Sequence, residues 1–164
     1  MRVADILQGS MIVPKMRSRN KWDAIEELVD HLVEAHEIRI LDRREVLDVV
    51  CTRERMRSTG LDNRVALPHG RSPNIEDVIG VLGVSVAGIP FESTDGQDAQ
   101  LICLLVFPES QSRDHLQVLS DMARTLSNGD FRNRLIAAAA AGGAESLWKE
   151  VQSAAGWGLR LSDG

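Results

Sequence analysis

The order of apolar and polar residues divides the chain into two kinds of segment. Between 21 and 36, Trp22, Ile25, Leu28, Val29, Leu32 and Val33 recur at intervals of three and four, and Asp23, Glu26, Glu27 and Asp30 take the opposite side. That period predicts an amphipathic helix with its apolar stripe inward. Asp42, with Glu45 three residues later, has the spacing of a capping box; it predicts a second helix carrying Val46, Leu47, Val49 and Val50 and running out near 52–55. Residues 78–86 and 101–107 are β-branched and apolar without alternation, which predicts central strands covered on both faces. The polar segment 90–100, with Asp95-Gly96 inside it, is the turn region between them. Residues 11–16 read as extended, and Pro14 assigns them to a sheet edge. Residues 1–7 predict a short helical lead-in. Three helical patterns close the chain. The first, 114–127, turns Leu116, Leu119, Met122, Ala123 and Leu126 inward and stops at Asn128-Gly129. The second, 130–141, is built around Phe131, Leu135 and Ile136 and is broken by Gly142-Gly143; the third, 144–151, carries Leu147, Trp148 and Val151.

Helices first, buried strands in the middle and helices last predict an α/β sandwich. We expect one domain over residues 1–151, and a loosely ordered tail over 152–164, where no period is visible. Composition adds little to the fold but limits the function. The 164 residues carry a net charge of −5, which argues against nucleic acid or an anionic membrane as principal partner. Aromatic residues make up 4%, so the core is expected to be aliphatic. Cys51 and Cys103 form neither a disulfide framework nor a closely spaced ligand pair, and with His69 and His115 they fall short of a zinc signature. No metal and no cofactor is therefore expected. The apolar runs are too short to cross a bilayer and no leader pattern opens the chain, so the expected location is cytoplasmic, without membrane insertion.

Candidate chemistry gathers in residues 58–71. A polar turn, Ser58-Thr59-Gly60, leads through Leu61 and Asp62-Asn63-Arg64 to the short apolar run Val65-Ala66-Leu67, then Pro68-His69-Gly70-Arg71. Pro68 lacks an N–H and is expected to end the strand, leaving His69 at its tip. Gly70 permits a sharp bend or a close approach to a ligand. A histidine set between two such residues suits a nucleophile better than a core position. Arg53, Arg55, Arg57, Arg64 and Arg71 make this region basic within an acidic chain; they are either a solvated helix end or a counter-charge for a dianion, for which the planar guanidinium is suited. His31 and His36 read as ordinary helix positions. His115, in the first turn of the 114–127 helix, is either a core histidine with one hydrogen bond or a second imidazole facing a phosphate near a helix N-terminus. Nucleotide-binding and serine-hydrolase motifs are absent from the sequence.

Arg53-Glu54, Ser58-Thr59-Gly60-Leu61 and Ala66-Leu67-Pro68-His69-Gly70, with a later Asp114-His115-Leu116-Gln117-Val118-Leu119, together resemble the phosphotransferase-system EIIA domains of the fructose–mannitol class, and most closely their nitrogen-regulatory branch. Arg53 precedes His69 by 16 residues and His115 follows it by 46, as in that family. The resemblance spans about residues 3–151 and implies a mixed sheet of about five strands flanked by helices on both faces. It implies that His69 is transiently phosphorylated, that His115 hydrogen-bonds the phosphoryl group and that Arg53 offsets its charge, with Ser58, Thr59, Gly70 and Arg71 in support. The implied partners are an HPr-like phosphocarrier as donor and, as acceptor, an EIIB component or a regulated target protein. The absence of a fused EIIB or membrane domain, together with the segments 58–60 and 115–126, favours the regulatory branch, which implies a binding module that senses phosphorylation state or has lost phosphotransfer. The chain departs from the family at Asp62 and Arg64, where glycine is usual. A carboxylate at 62 either opposes a phosphoryl group or pairs with Arg64.

Overall fold

The computed structural model describes residues 3–110 and 115–153. Asp114 and most of the expected tail lie outside them. Helix α1 (Val3–Leu7) and strand β1 (Ile12–Val13) precede α2 (Lys21–Glu34), a 3-10 turn (Ile40–Asp42) and α3 (Arg43–Met56). Then come β2 (Gly60–Leu61), β3 (Val65–Ala66), β4 (His69–Ser72), β5 (Ile79–Ile89), β6 (Ala99–Pro108), α4 (His115–Ser127) and α5 (Gly129–Gln152). The six strands form one sheet in the order β1-β5-β6-β3-β2, with β4 also paired to β6. Pairing is mixed: β1–β5, β3–β6 and β4–β6 are parallel, and β5–β6 and β2–β3 antiparallel. The α/β fold follows the sequence expectation, and the strand count has a simple origin. Ala66 lies beside Ile102 and His69 beside Leu105, so β3 and β4 hold one register along β6 and the sheet is five positions wide.

The lack of alternation in β6 comes from helices on both sides. Leu101, Cys103, Leu105 and Phe107 join a core with Leu7 of α1, Met122 and Leu126 of α4, and Phe131 and Leu135 of α5. Ile102, Leu104 and Val106 join the other, with Ile25, Leu28 and Leu32 of α2 and Val46 and Val50 of α3. Alternate residues point to opposite faces and all are buried, each large side chain contributing roughly 1.5–3 kcal/mol. Strand β1 lies at an edge, as expected, but it is shorter than the extended segment 11–16 and stops before Pro14.

Three local expectations are corrected. Asp42 occupies the N-cap position of α3 without a side-chain capping bond: it ends the 3-10 turn and receives the Arg39 guanidinium. Glu45 instead reaches the end of β4, where it accepts hydrogen bonds from the Ser72 hydroxyl and, at 3.3 Å, from Asn74. Trp22 does not join the core; its ring lies at the surface with Lys21 Nζ 5.1 Å and the Arg55 guanidinium 5.5 Å from its centroid. The cap of α2 is Asn20, whose side chain accepts the Asp23 N–H at 2.9 Å. Leu116, expected inward, is 77% exposed. The glycine break in the last helical region is present, because Gly143 leaves helical geometry at φ 68°, ψ −148°.

Candidate functional site

Strand parity decides which way the central histidine faces. Val65 and Leu67 belong to the core under α4 and α5, so His69, two residues further on, falls on that same face. Pro68 interrupts the ladder without ending it. Its carbonyl accepts the Leu105 N–H at 3.0 Å, and the chain resumes as β4 with His69 as first residue. The histidine therefore sits inside a strand line rather than at a free tip. Gly70 faces the other way, and a Cβ there would lie 3.0 Å from Val49 Cγ2 and 3.1 Å from the Val50 nitrogen. The close approach that this glycine allows is to α3, not to a ligand.

The His69 ring is half-buried, with Nδ1 2.8 Å from the Leu67 carbonyl oxygen. A carbonyl only accepts, so Nδ1 carries the proton and Nε2 is left with a lone pair. Burial holds the imidazole below the ordinary histidine pKa. The Leu67 hydrogen bond opposes that shift, and the positive charges of Arg53, Arg71 and His115 add to it. Phe107 and His69 meet in a T-shaped arrangement at 6.4 Å between centroids, and Phe107 also stacks on His115 at 4.3 Å. His115 is buried at the start of α4, so the two imidazoles share one phenyl ring.

A cleft of about 640 Å³ opens beside His69, between the α3–β2 connection and α4. Arg53, Arg57, Thr59, Asp62, Leu116 and Leu119 are among its walls, and His115 and Arg71 are not. Arg53 is oriented by a 2.8 Å bond from its guanidinium to the Arg57 carbonyl. Arg71 is exposed and reaches His69 only through its charge, while Arg55 lies over Trp22. Ser58 lines the cleft with its hydroxyl proton already committed to the Phe91 carbonyl, and its oxygen receives the Gly60 N–H at 3.1 Å. It is thus a turn-forming residue rather than a donor to a ligand. Thr59 differs: its buried hydroxyl oxygen has no hydrogen-bond partner. Glu54 accepts the Thr59 N–H through both oxygens, at 3.2 and 3.0 Å. Phe107, Leu116 and Glu54 were missed as contributors in the sequence, although Glu54 stands in the Arg53-Glu54 pair that carried the resemblance. Among the described residues no three His, Cys, Asp or Glu side chains gather as a metal site, and burial pushes the Cys103 thiol up to about 12.

Residues 5–148 match the family model described as "Phosphoenolpyruvate-dependent sugar phosphotransferase system, EIIA 2". The chain belongs to this EIIA family. It is a phosphotransferase component by that membership. Over 135 residues it is 33% identical to a nitrogen regulatory protein of Bradyrhizobium diazoefficiens, covering 82% of this chain and 86% of the relative. It is also 33% identical over 118 residues to a fructose-specific EIIA component of Haloferax volcanii, covering 72% and 75%. The crystal structure of the nitrogen regulatory protein IIA-Ntr from Neisseria meningitidis superposes with a TM-score of 0.77 at 30% identity, covering 91% of this chain and 98% of that one. IIA mannitol from Escherichia coli, at a TM-score of 0.71 and 18% identity over 88% and 98%, shares the fold. No described helix of this EIIA chain is long and apolar enough to cross a membrane.

The segment Asp62-Asn63-Arg64, where the resemblance leads one to expect glycine at 62 and 64, has a structural setting. Asn63 and Arg64 both adopt left-handed backbone, at φ 67° and 62°, where glycine is the residue without strain. The turn is clamped from outside. Asp95 accepts the Asn63 N–H at 3.0 Å, Arg132 donates to the Asn63 carbonyl at 2.8 Å, and the Arg64 carbonyl accepts from Gln100 and Leu101. Asp62 lines the cleft and receives the Thr94 hydroxyl. The charge of Arg64 bears on Asp95, whose carboxyl is held below the usual range chiefly by the N–H groups of Gln97 and Asn63.

Proposed function

We propose that His69 is the phosphoryl acceptor and that its Nε2 is the attacking atom. The observation that carries this reading is the Nδ1–H bond to the Leu67 carbonyl, which leaves the lone pair on Nε2 of a neutral ring beside a cleft walled by Arg53 and Arg57. The Nε2 lone pair attacks the phosphorus of a phosphohistidine on a small HPr-like carrier. The donor's N–P bond breaks, its electron pair returns to the donor imidazole, and a new N–P bond forms at His69 while the Nδ1 proton stays in place. Such a transfer relies on alignment and on stabilising charge spread over the equatorial oxygens. Arg53 supplies that charge, and the unengaged but buried Thr59 hydroxyl adds a hydrogen bond once its side chain turns towards the cleft. His115 is one of the neighbours that lower the His69 pKa; to hydrogen-bond a phosphoryl group in the cleft, its buried ring must gain access to a cleft that it does not line. Phosphorylated His69 then passes the group to an EIIB acceptor, and we place the reaction in the cytoplasm, where phosphoenolpyruvate is made.

A second reading has its own support. The relative aligned over 86% of its length is named a nitrogen regulatory protein, and so is the structural neighbour at 30% identity. In this reading the output of phosphorylation is a change in affinity for a regulated protein partner. Incubation with phosphoenolpyruvate, the general first component and the HPr-like carrier tests the shared step. Label on the wild type and none on His69→Ala is expected, and equal label on both overturns it. Restored sugar uptake in a strain lacking its own EIIA favours transfer; partner affinity that tracks phosphorylation, without uptake, favours regulation.

A further inference from the structure

Behind the cleft lies a buried carboxylate that phosphoryl transfer does not touch. Glu54 is 2% exposed, a rare placement for glutamate unless it is paired. Its ion pair is long: Lys21 Nζ stands 3.8 Å from Glu54 and 3.0 Å from the exposed Glu92. What Glu54 grips is backbone, since both oxygens converge on the Thr59 N–H at 3.2 and 3.0 Å. From there the connections run towards the histidine. The Thr59 carbonyl accepts the Leu67 N–H at 3.1 Å, and the Leu67 carbonyl accepts Nδ1–H of His69 at 2.8 Å. Three successive contacts thus join a desolvated charge to the ring that carries the reactive lone pair. One backbone N–H does not require a buried carboxylate, for which a carbonyl or a water would serve at less desolvation cost. A charged acceptor gripping with two oxygens holds the backbone more stiffly than either.

We propose that Glu54 is a positioning residue for His69: through Thr59 and Leu67 it places the carbonyl that selects the Nδ1–H tautomer and so keeps the lone pair on Nε2. The kinetic consequence rests on His69 being the acceptor, whereas the tautomer rests on geometry alone. Glu54→Gln keeps one acceptor oxygen and loses the converging pair. Because it leaves Lys21 without this buried partner, the double variant Lys21→Met/Glu54→Gln is measured beside it, removing both charges together. The test is the NMR signature of the two His69 ring nitrogens in each variant, with the kinetics of phosphoryl acceptance from phosphorylated HPr-like carrier. A mixture of tautomers at His69 in both variants is expected, with a fall in the saturated rate of about tenfold to a hundredfold, the range found when an orienting partner is lost. The donor KM stays near the wild-type value. A purely stabilising Glu54 would lower the melting temperature and leave the tautomer fixed. A single Nδ1–H tautomer in the folded variants overturns the proposal, whatever the rate. Failure of the wild type itself to accept phosphate overturns the acceptor reading instead, and the ring-nitrogen measurement still decides the tautomer.

Discussion

His69 meets the cleft as a neutral imidazole because its surroundings oppose protonation: it is partly desolvated, and the neighbouring Arg53 and Arg71 are cationic. The pH dependence follows in sign. The folded pKa lies below the unfolded value near 6.5, so the unfolded chain takes up the proton first as pH falls. The stability contributed by neutral burial is complete above about pH 6.5 and is lost as pH drops towards the folded value. Phosphoryl acceptance is accordingly expected to stay level from about pH 8 to about 6.5 and to decline only below that. Stopped-flow transfer from pre-phosphorylated carrier across this range checks it, and a decline beginning above pH 7 contradicts it. Arg64 is strained in a different sense, holding left-handed backbone that costs an L-residue roughly 1–2 kcal/mol. Arg64→Gly removes that strain and adds unfolded-state entropy, so urea unfolding should show a gain of about 0.5–1 kcal/mol.

The interrupted strand β3–β4 is the element on which the site depends, and its packing against α3 is tight. Gly70→Ala would push a methyl against Val49 and the Val50 backbone, with an expected cost of about 1–3 kcal/mol in thermal unfolding. Lost labelling in a folded Gly70→Ala chain would show that this contact also aligns His69. Much of this element was legible beforehand: Pro68-His69-Gly70 marks an unusual backbone, and residues 101–107 announce a strand covered twice. The continuation beyond Pro68 was not legible. A proline predicts a lost ladder bond, and only the neighbouring β6, thirty-odd residues later in the chain, shows that the register survives it. Glu45 and Trp22 failed for the same reason. A capping-box spacing and an apolar stripe are local signals, whereas Ser72 and Arg55, which claim these side chains, are distant in sequence.

For the molecule as a whole, the two helical layers differ in what they leave exposed. Beside His69, Leu116 is 77% exposed on one flank of the cleft, and Met56 is 78% exposed at the end of α3. Helical period assigned Leu116 to the core, because periodicity locates an apolar stripe but does not say whether its first member overhangs a cleft. An exposed leucine there suits the proposed transfer, in which another protein's histidine approaches His69. Leu116→Asp is therefore expected to raise the KM for the phosphorylated carrier about tenfold or more while leaving the melting temperature within about 1 °C, since surface changes alter stability little. An unchanged KM would exclude this flank from docking. The resemblance singles out Arg53, His69 and His115; the structure sets Arg53 and His69 on one cleft and joins His115 to His69 through Phe107. The Phe107 stack that buries His115 was not legible beforehand, since it depends on where α4 lands on β6. The most direct measurement is heteronuclear NMR of the imidazole nitrogens and phosphorus after incubation with phosphoenolpyruvate, the general first component and the HPr-like carrier. The expected product is a single acid-labile phosphoramidate on Nε2 of His69. Phosphate on Nδ1 of His69, on another residue, or nowhere on the chain contradicts it.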